Sequence, residues 1–218
     1  MKIRFLGHAA FLITTAGGAK IVTDPYEPGG FGGAIRHGAL TEPADFVVVS
    51  HDHADHNYVK MVPGKPVVVK GEGEESHRGI TFRSLATYHD ANRGAERGRN
   101  TVRVIAADGL TVCHLGDLGE PLGPEAVEGL GPVNVLMVPV GGVFTIDAGG
   151  AAKVVKAVRP NIAIPMHYRT PKVGLNLGSV EGFLTGKARV RRVGGSDIEV
   201  TADSLPEPTE IVVLEPAL

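Results

Sequence analysis

The sequence has no tryptophan, a single cysteine and no excess of charge of either sign. Each absence narrows the reading. Cys113 stands alone in the apolar run "LTVCHLG", which excludes an intramolecular disulfide and a thiolate metal cluster, and suggests a packed thiol in a reducing compartment. A formal net charge of −2 provides no broad attraction to nucleic acid or anionic lipid, so neither is an expected partner. No apolar stretch approaches the roughly 20 residues that cross a bilayer, which argues against a membrane role. The opening "MKIRFLGHAAFLITT" alternates like a strand and lacks the features of a secretion signal, so the expected location is the cytoplasm. What is present is an ordinary globular composition over 218 residues, read as one domain spanning 1–218, with 30 glycines that imply many tight turns.

Short apolar runs punctuated by Gly, Pro, Asp or Asn predict strands in "KIRFL", "AFLIT", "AKIVT", "FVVVS", "PVVVK", "ITFRSL", "TVRVIA" and "LTVCHL". The connections "TAGGAK" and "AADGLT" predict hairpin turns, because Gly supplies the positive φ such turns need. Further on, "VNVLMVPV" and "NIAIPMH" predict buried strands on either side of a helix in "TIDAGGAAKVVKAVRP". There Val154, Val155 and Val158 share a face, Thr145 or Asp147 caps the start and Pro160 marks the stop. "GPEAVEGLG" and the Gly-interrupted "SVEGFLTG" are shorter helix candidates, and the tail "ARVRRVGG", "DIEVT" and "EIVVLEP" returns to strands. Two strand-rich halves with helices suggest a layered α/β sandwich.

The chemistry concentrates in "VVVSHDHADHN", residues 47–57. Its H-x-H-x-D-H pattern supplies His51, His53, Asp55 and His56 directly after an apolar run. Residues two apart on an extended segment project the same way, so His51 and His53 can grip one ion while a turn carries Asp55 and His56 toward a second. Imidazole and carboxylate suit zinc, manganese or iron. The bland alternative is a polar turn in water, which so dense a ligand spacing makes a poor account. A two-metal centre needs about three protein ligands per ion and a bridging group. Three further candidates end strand-like runs: His89 in "SLATYHDANRG", Asp117 in "VCHLGDLG" and His167 in "AIPMHYR".

The ordered set H-x-H-x-D-H, a later His, G-D-x-G and P-M-H resembles the metallo-β-lactamase superfamily. With "FLGHAAFLI", "TDPY", "HLGDLG", "PVGGVFTID" and "IPMHY", it is similar to the small branch of metal-dependent hydrolases that includes ascorbate-6-phosphate lactonase-like proteins. The resemblance covers about residues 2 to 170 and implies a four-layer αββα sandwich with metals at one edge. It implies that His51, His53 and His89 hold a first ion, that Asp55, His56 and His167 hold a second, and that Asp117 bridges them. Asp55 and Asp117 are then the carboxylates at the reacting centre. The sequence departs from the family after His56, where "HNYV" stands instead of the usual Gly.

Two divalent ions, first of all zinc, with manganese or iron as the other choices, would leave about one net positive charge once two Asp and a bridging hydroxide are counted. This favours an anionic small-molecule substrate, with the hydroxide attacking an ester, lactone or phosphoester. His8 in "GHA" is placed by the resemblance near the metals, and Asp24 in "VTDPY" is a candidate to hold a metal-bound His by its other N–H. Asp90 beside His89, and Tyr168 beside His167 as an oxyanion donor, complete the candidates, each set against a plain packing or solvated role. Arg93, Arg97 and Arg99 can hold an anion, as can backbone N–H groups at the paired Gly of "PVGGVFTID". His37, His77 and His114 are read as structural or surface residues. Two other functions compete. One is an iron-dependent oxidoreductase of the same fold, disfavoured because flavodiiron relatives carry Glu where His53 stands. The other is a non-catalytic metal-binding protein, disfavoured because seven ligands around two ions leave open positions.

Overall fold

The computed structural model describes residues 1–218. In chain order the strands are β1 (Lys2–Gly7), β2 (Ala10–Thr14), β3 (Lys20–Thr23), β4 (Phe46–Val48), β5 (Val67–Val69), β6 (Glu74–His77) and β7 (Ile80–Tyr88). They continue as β8 (Arg99–Ala107), β9 (Leu110–His114), β10 (Val135–Pro139), β11 (Ile162–Met166), β12 (Val190–Arg192), β13 (Asp197–Glu199) and β14 (Glu210–Val213). One six-stranded sheet has the order β13-β1-β2-β3-β4-β5, and an eight-stranded sheet the order β12-β14-β11-β10-β9-β8-β7-β6.

The period-2 pattern of the sequence explains why both sheets have two apolar faces. In β1 and β2, Ile3, Phe5, Phe11 and Ile13 point to the second sheet and meet Phe82, Ile105, Val112, Met137 and Ile164. Phe46 and Phe82 join the sheets with ring centroids 5.3 Å apart. The alternate residues Leu6, Leu12, Val22 and Val47 face outward beneath Tyr26, Ile35, Leu40 and Met61. The outer face of the second sheet is covered by the helices α2 (Pro124–Leu130), α3 (Ala148–Val158) and α4 (Glu181–Leu184), through residues such as Leu130, Val154 and Phe183.

The sandwich is the expected one, with a difference in one outer layer. The first sheet is covered by an extended segment whose only helix-like turn is the short α1 (Gly30–Gly33), left-handed at Phe31 and Gly32. The run "EPGGFGGAIRHGALTEP" is too rich in Gly and Pro to sustain a helix, so its apolar residues are set down one at a time. Strand β6 was not foreseen, because Glu74, Glu75 and Ser76 are exposed on the sheet edge and show no apolar alternation. The other expected strands and both hairpins form, the second turning through Asp108 and Gly109 at φ 57° and 71°. Asp147 caps α3 by accepting the Gly150 N–H at 2.8 Å, and Arg159 ends it in a left-handed conformation before Pro160. No helix is long and apolar enough to cross a membrane.

Strand direction decides where the chemistry gathers. β1 and β3 are both antiparallel to β2, and β4 is parallel to β3. β7 and β9 are both antiparallel to β8, while β10 and β11 run parallel to β9. The segments leaving β1, β3 and β4 therefore exit one edge of the first sheet, and those leaving β7, β9 and β11 exit one edge of the second. Loops at such strand ends are the usual place for sites in layered α/β folds.

Candidate metal centre

All seven expected ligands come together at that edge. His89 and His167 directly follow β7 and β11, Asp117 lies just beyond β9, and the His51–His56 cluster follows β4. β4 stops at Val48, so His51 sits on a bend and His53 on irregular backbone rather than on strand, yet His51 Nε2 lies 3.0 Å from His53 Nδ1. His51, His53 and His89 each offer an atom within 4.8 Å of the others, and so do His8, Asp55, His56 and His167. Asp117 stands between the groups. Its Oδ1 is 3.2 Å from His56 Nε2, and its Oδ2 is 3.3 Å from His89 Nε2 and 3.4 Å from His167 Nε2. All but His53, which opens to solvent, are buried.

The turn after His56 closes without a glycine. The N–H groups of His56 and Asn57 both reach His53 O, at 2.9 and 2.8 Å, and Asn57 also bonds Asp52, so no positive φ is needed there. Glycine is needed elsewhere. A Cβ on Gly119 would lie 2.2 Å from the His89 carbonyl carbon, and one on Gly141 would lie 2.2 Å from His167 O. Both glycines let a neighbouring loop press directly on the backbone of a candidate ligand.

Asp24 organises the histidines from behind. Its Oδ1 accepts the Ser50 N–H at 2.7 Å, and its Oδ2 accepts the Ser50 O–H at 2.5 Å and His56 Nδ1–H at 2.8 Å. Ser50 Oγ in turn accepts from His51 Nδ1 at 2.9 Å. This chain fixes the proton of both imidazoles on Nδ1 and turns both Nε2 atoms toward the centre. His8 Nε2 donates to Asp55 Oδ2 at 3.0 Å, and its ring lies 4.2 Å from that of His167. His8, Asp24 and His167 all have left-handed backbones, at φ 56°, 38° and 51°. Such strain in non-glycine residues concentrates at functional sites.

The electrostatics fit cations. Burial opposes ionisation of Asp117, but His167 and His56 beside it more than compensate and hold its carboxyl well below the usual range. Asp24 and Asp55 are likewise lowered against burial, by His114 and His56 for the first and by His56 and His8 for the second. His56 is raised well above its ordinary value although burial opposes this, because Asp117 and Asp55 flank it. Burial pushes His51 and His167 down to about 3, which keeps both imidazoles neutral and able to ligate. Three carboxylates around one imidazolium leave excess buried negative charge. His56 Nε2, His167 Nε2 and Asp117 Oδ1 are also buried without a hydrogen-bond partner, an arrangement that divalent cations satisfy.

Two expectations are corrected. Tyr168 does not face the centre as an oxyanion donor: it packs in the core of the outer helices and donates its hydroxyl to Leu214 O at 3.3 Å. Asp90 does not support a ligand. Its carboxylate accepts the backbone N–H groups of Asn92, Gly94, Glu96 and Arg97, which shapes the following loop. The N-terminus of α3 beyond the paired glycines of "PVGGVFTID" is capped by Asp147 itself. Of the three arginines, Arg97 lines the metal-facing cavity, and Arg99 reaches Glu72 on the surface. His37, His77 and His114 stay outside the two ligand groups; buried His114 bonds Ala9 O at 2.8 Å.

Sequence reasoning missed Ser50 and Asn100. Asn100 Oδ1 accepts the Asp117 N–H at 3.0 Å, while its Nδ2 donates to Leu115 O and Thr87 Oγ1. Nothing in "RGRNTV" marks this role, whereas Ser50, set between the strand and the first His, was a readable candidate. Beside the cluster lies a cavity of about 470 Å³, lined by His53, Asp55, His89, Asp117 and His167, with Phe31, Phe144, Leu175 and Arg97 among its other walls. A second hollow, of about 610 Å³, shares His53 and Arg97 with it and adds Lys70, Arg99 and Arg103.

Residues 2–167 match the model of a β-lactamase superfamily domain. The chain is 30% identical over 208 residues to a UPF0173 metal-dependent hydrolase of Carboxydothermus hydrogenoformans, an alignment covering 83% of this chain and 91% of that protein. It is similar to the crystal structure of a Thermotoga maritima protein provisionally named a zinc-dependent hydrolase, with a TM-score of 0.80, 35% identity and 98% of each chain covered. A metallo hydrolase of Ignicoccus hospitalis shares the fold at a TM-score of 0.65 and 21% identity, over 99% of this chain and 95% of that one. With its motifs in order, its ligand groups at one sandwich edge and these relatives over most of its length, the chain belongs to the metallo-β-lactamase superfamily and, within it, to the UPF0173 metal-dependent hydrolase family.

Proposed function

We propose that the chain is a metal-dependent hydrolase of small molecules that binds two divalent ions. His51, His53 and His89 would hold one, Asp55, His56 and His167 the other, and Asp117 would serve both. The observation that carries this reading is the position of Asp117, whose carboxylate reaches members of both sets, His89 of the first and His56 and His167 of the second. When bound, such ions supply a hydroxide nucleophile near neutral pH and Lewis acidity at the attacked oxygen. Asp55, which lines the cavity and is tied to His8, would hold the second ion at the wall that faces the substrate and orient the attacking water there. Asp24 and Ser50 keep His51 and His56 in the ligating tautomer throughout. Arg97, with Lys70 in the adjoining hollow, favours a substrate with an anionic group. An ester, lactone or phosphoester is the class of bond that meets these requirements.

Metal analysis of the purified protein, coupled to an anaerobic screen of lactones, phosphodiesters and thioesters with zinc or manganese, tests the proposal. About two ions per chain and hydrolysis without oxygen are expected. Asp117→Ala should retain at most about one ion and lose more than about 100-fold in rate, beyond the range of a merely supporting residue. If Asp117→Ala and His53→Ala both keep full metal and full activity, the site is misassigned.

A further inference from the structure

Few large hydrophobic side chains are exposed, and their distribution is uneven. Phe31 and Val143 are the most exposed, at 55% and 57%, followed by Val67 and Val68 on the edge strand β5. Phe31 lines the metal-facing cavity, and Val143 directly precedes Phe144, which lines it too. Both Phe31 and Val143 have left-handed backbones, at φ 51° and 63°. For a bulky or β-branched residue this conformation is a true outlier, held only where the surroundings impose it.

The surroundings do impose it. Phe31 tops the knuckle "PGGFGG", where the Gly33 N–H reaches Gly29 O at 2.9 Å and the Gly29 N–H reaches Ile35 O at 2.8 Å. The base is anchored: Ile35 is buried and bridges to Val173, and the Gly174 N–H reaches Ala34 O at 2.7 Å. A Cβ on Gly29, Gly32 or Gly33 would meet nothing within 4 Å, so these glycines serve the backbone path and not close packing. The knuckle thus sets an aromatic tip on an anchored base. Phe144 lies in the same cavity beneath the Arg97 guanidinium, 5.7 Å from its ring centroid, on the loop that Asp90 pins. Leu175 adds another apolar wall.

We propose that Phe31, Phe144 and Leu175, with Val143 at the rim, clamp an apolar acyl chain of the substrate, joined to the bond that is hydrolysed. This rests on the hydrolytic reading above. Water against these side chains is displaced when the chain enters, and that displacement favours longer acyl chains over an acetyl group.

Two readouts test it. The first is the hydrolysis of p-nitrophenyl acetate and p-nitrophenyl octanoate by the zinc-loaded protein. The second is the fluorescence of 1-anilinonaphthalene-8-sulfonate with the metal-free protein, which needs no turnover. Phe31→Ala should lower kcat/KM about tenfold for the octanoate ester and leave the acetate ester unchanged, with a similar rise in the Kd of the dye. Phe31→Leu should recover most of both, and Val68→Ser, on the exposed edge strand, should alter neither. Equal loss on both esters, or a dye affinity that ignores Phe31, overturns the clamp. So does a wild-type dimer that Phe31→Ala converts to monomer at unchanged dye affinity, because the tip would then be a contact between copies. If neither these esters nor the lactones, phosphodiesters and thioesters of the screen are turned over but the dye still depends on Phe31, the hydrolytic reading fails and the apolar site stands.

Discussion

At the scale of single residues, the centre depends on which nitrogen of each histidine carries a proton. Asp24 settles this for His56 directly and for His51 through Ser50. Asp24→Ala leaves every proposed ligand in place, yet it should weaken metal binding about 10- to 100-fold, as loss of an outer carboxylate does elsewhere. Competition with a chelator of known affinity measures this, and unchanged affinity would remove Asp24 from the site. Protons make a second prediction. His56 is held protonated well above the ordinary imidazole range by Asp117 and Asp55, and a ligating imidazole must be neutral. Metal uptake near neutral pH should therefore release about one proton per chain from His56. Raising the pH strengthens binding until that proton is already gone, and lowering it weakens binding. His51 and His167, kept neutral by burial down to about 3, add no competition above that pH. Calorimetry in buffers of different ionisation enthalpy counts the proton, and a release of zero contradicts the assignment.

At the scale of elements, strand ends and caps matter more than helices. His8, Asp24, His89 and His167 each take the first position after a strand, where a left-handed residue or a tight bend turns the chain across the sandwich edge. The unit of β10, α3 and β11 brings Phe144 and His167 to the same cavity, and it depends on a clean start to α3. Asp147→Ala should cost about 1 kcal/mol and lower Tm by roughly 2–4 °C without changing metal content. Calorimetric unfolding reads the shift, and metal lost together with the cap would show that α3 shapes the centre itself. The strand pattern was legible because inward and outward apolar residues alternate within short runs. Strand β6 was not, because a polar edge strand has no face to bury and carries no periodic signal.

At the scale of the whole molecule, three apolar layers are stacked: one between the sheets, one under α2, α3 and α4, and one under the glycine-rich segment. The layers bury ionisable groups as neutral species. Burial pushes the Cys113 thiol up to about 12 and the Tyr168 hydroxyl up to about 12, and it raises Tyr26 as well. Since the unfolded chain loses these protons at lower pH, the folded chain holds more of them in between, and stability falls as pH rises. The contribution is intact below the ordinary thiol value of 9.0 and declines toward 12, by as much as about 1.4 kcal/mol per pH unit for each group past its ordinary value. Urea midpoints measured between about pH 8 and about pH 11 should drop accordingly. A thiol reagent should modify Cys113 only at the rate of global unfolding, and fast labelling of the native protein would contradict its burial.

The amino-acid sequence by itself determined the strand runs, the helix between β10 and β11, and the seven residues that converge, because side-chain periodicity and ligand spacing are local properties of a chain. It left undecided the roles of Tyr168 and Asp90, since adjacency to a ligand says nothing about the direction in which a side chain leaves the backbone. It gave no hint of Asn100, whose partners come from β7 and the segment after β9. Only the tertiary structure decided these, along with the pairing of Phe31 and Phe144 across one cavity. Both outcomes follow from strand direction: the two sheets send their ends to the same edge, and residues far apart in the chain become neighbours there.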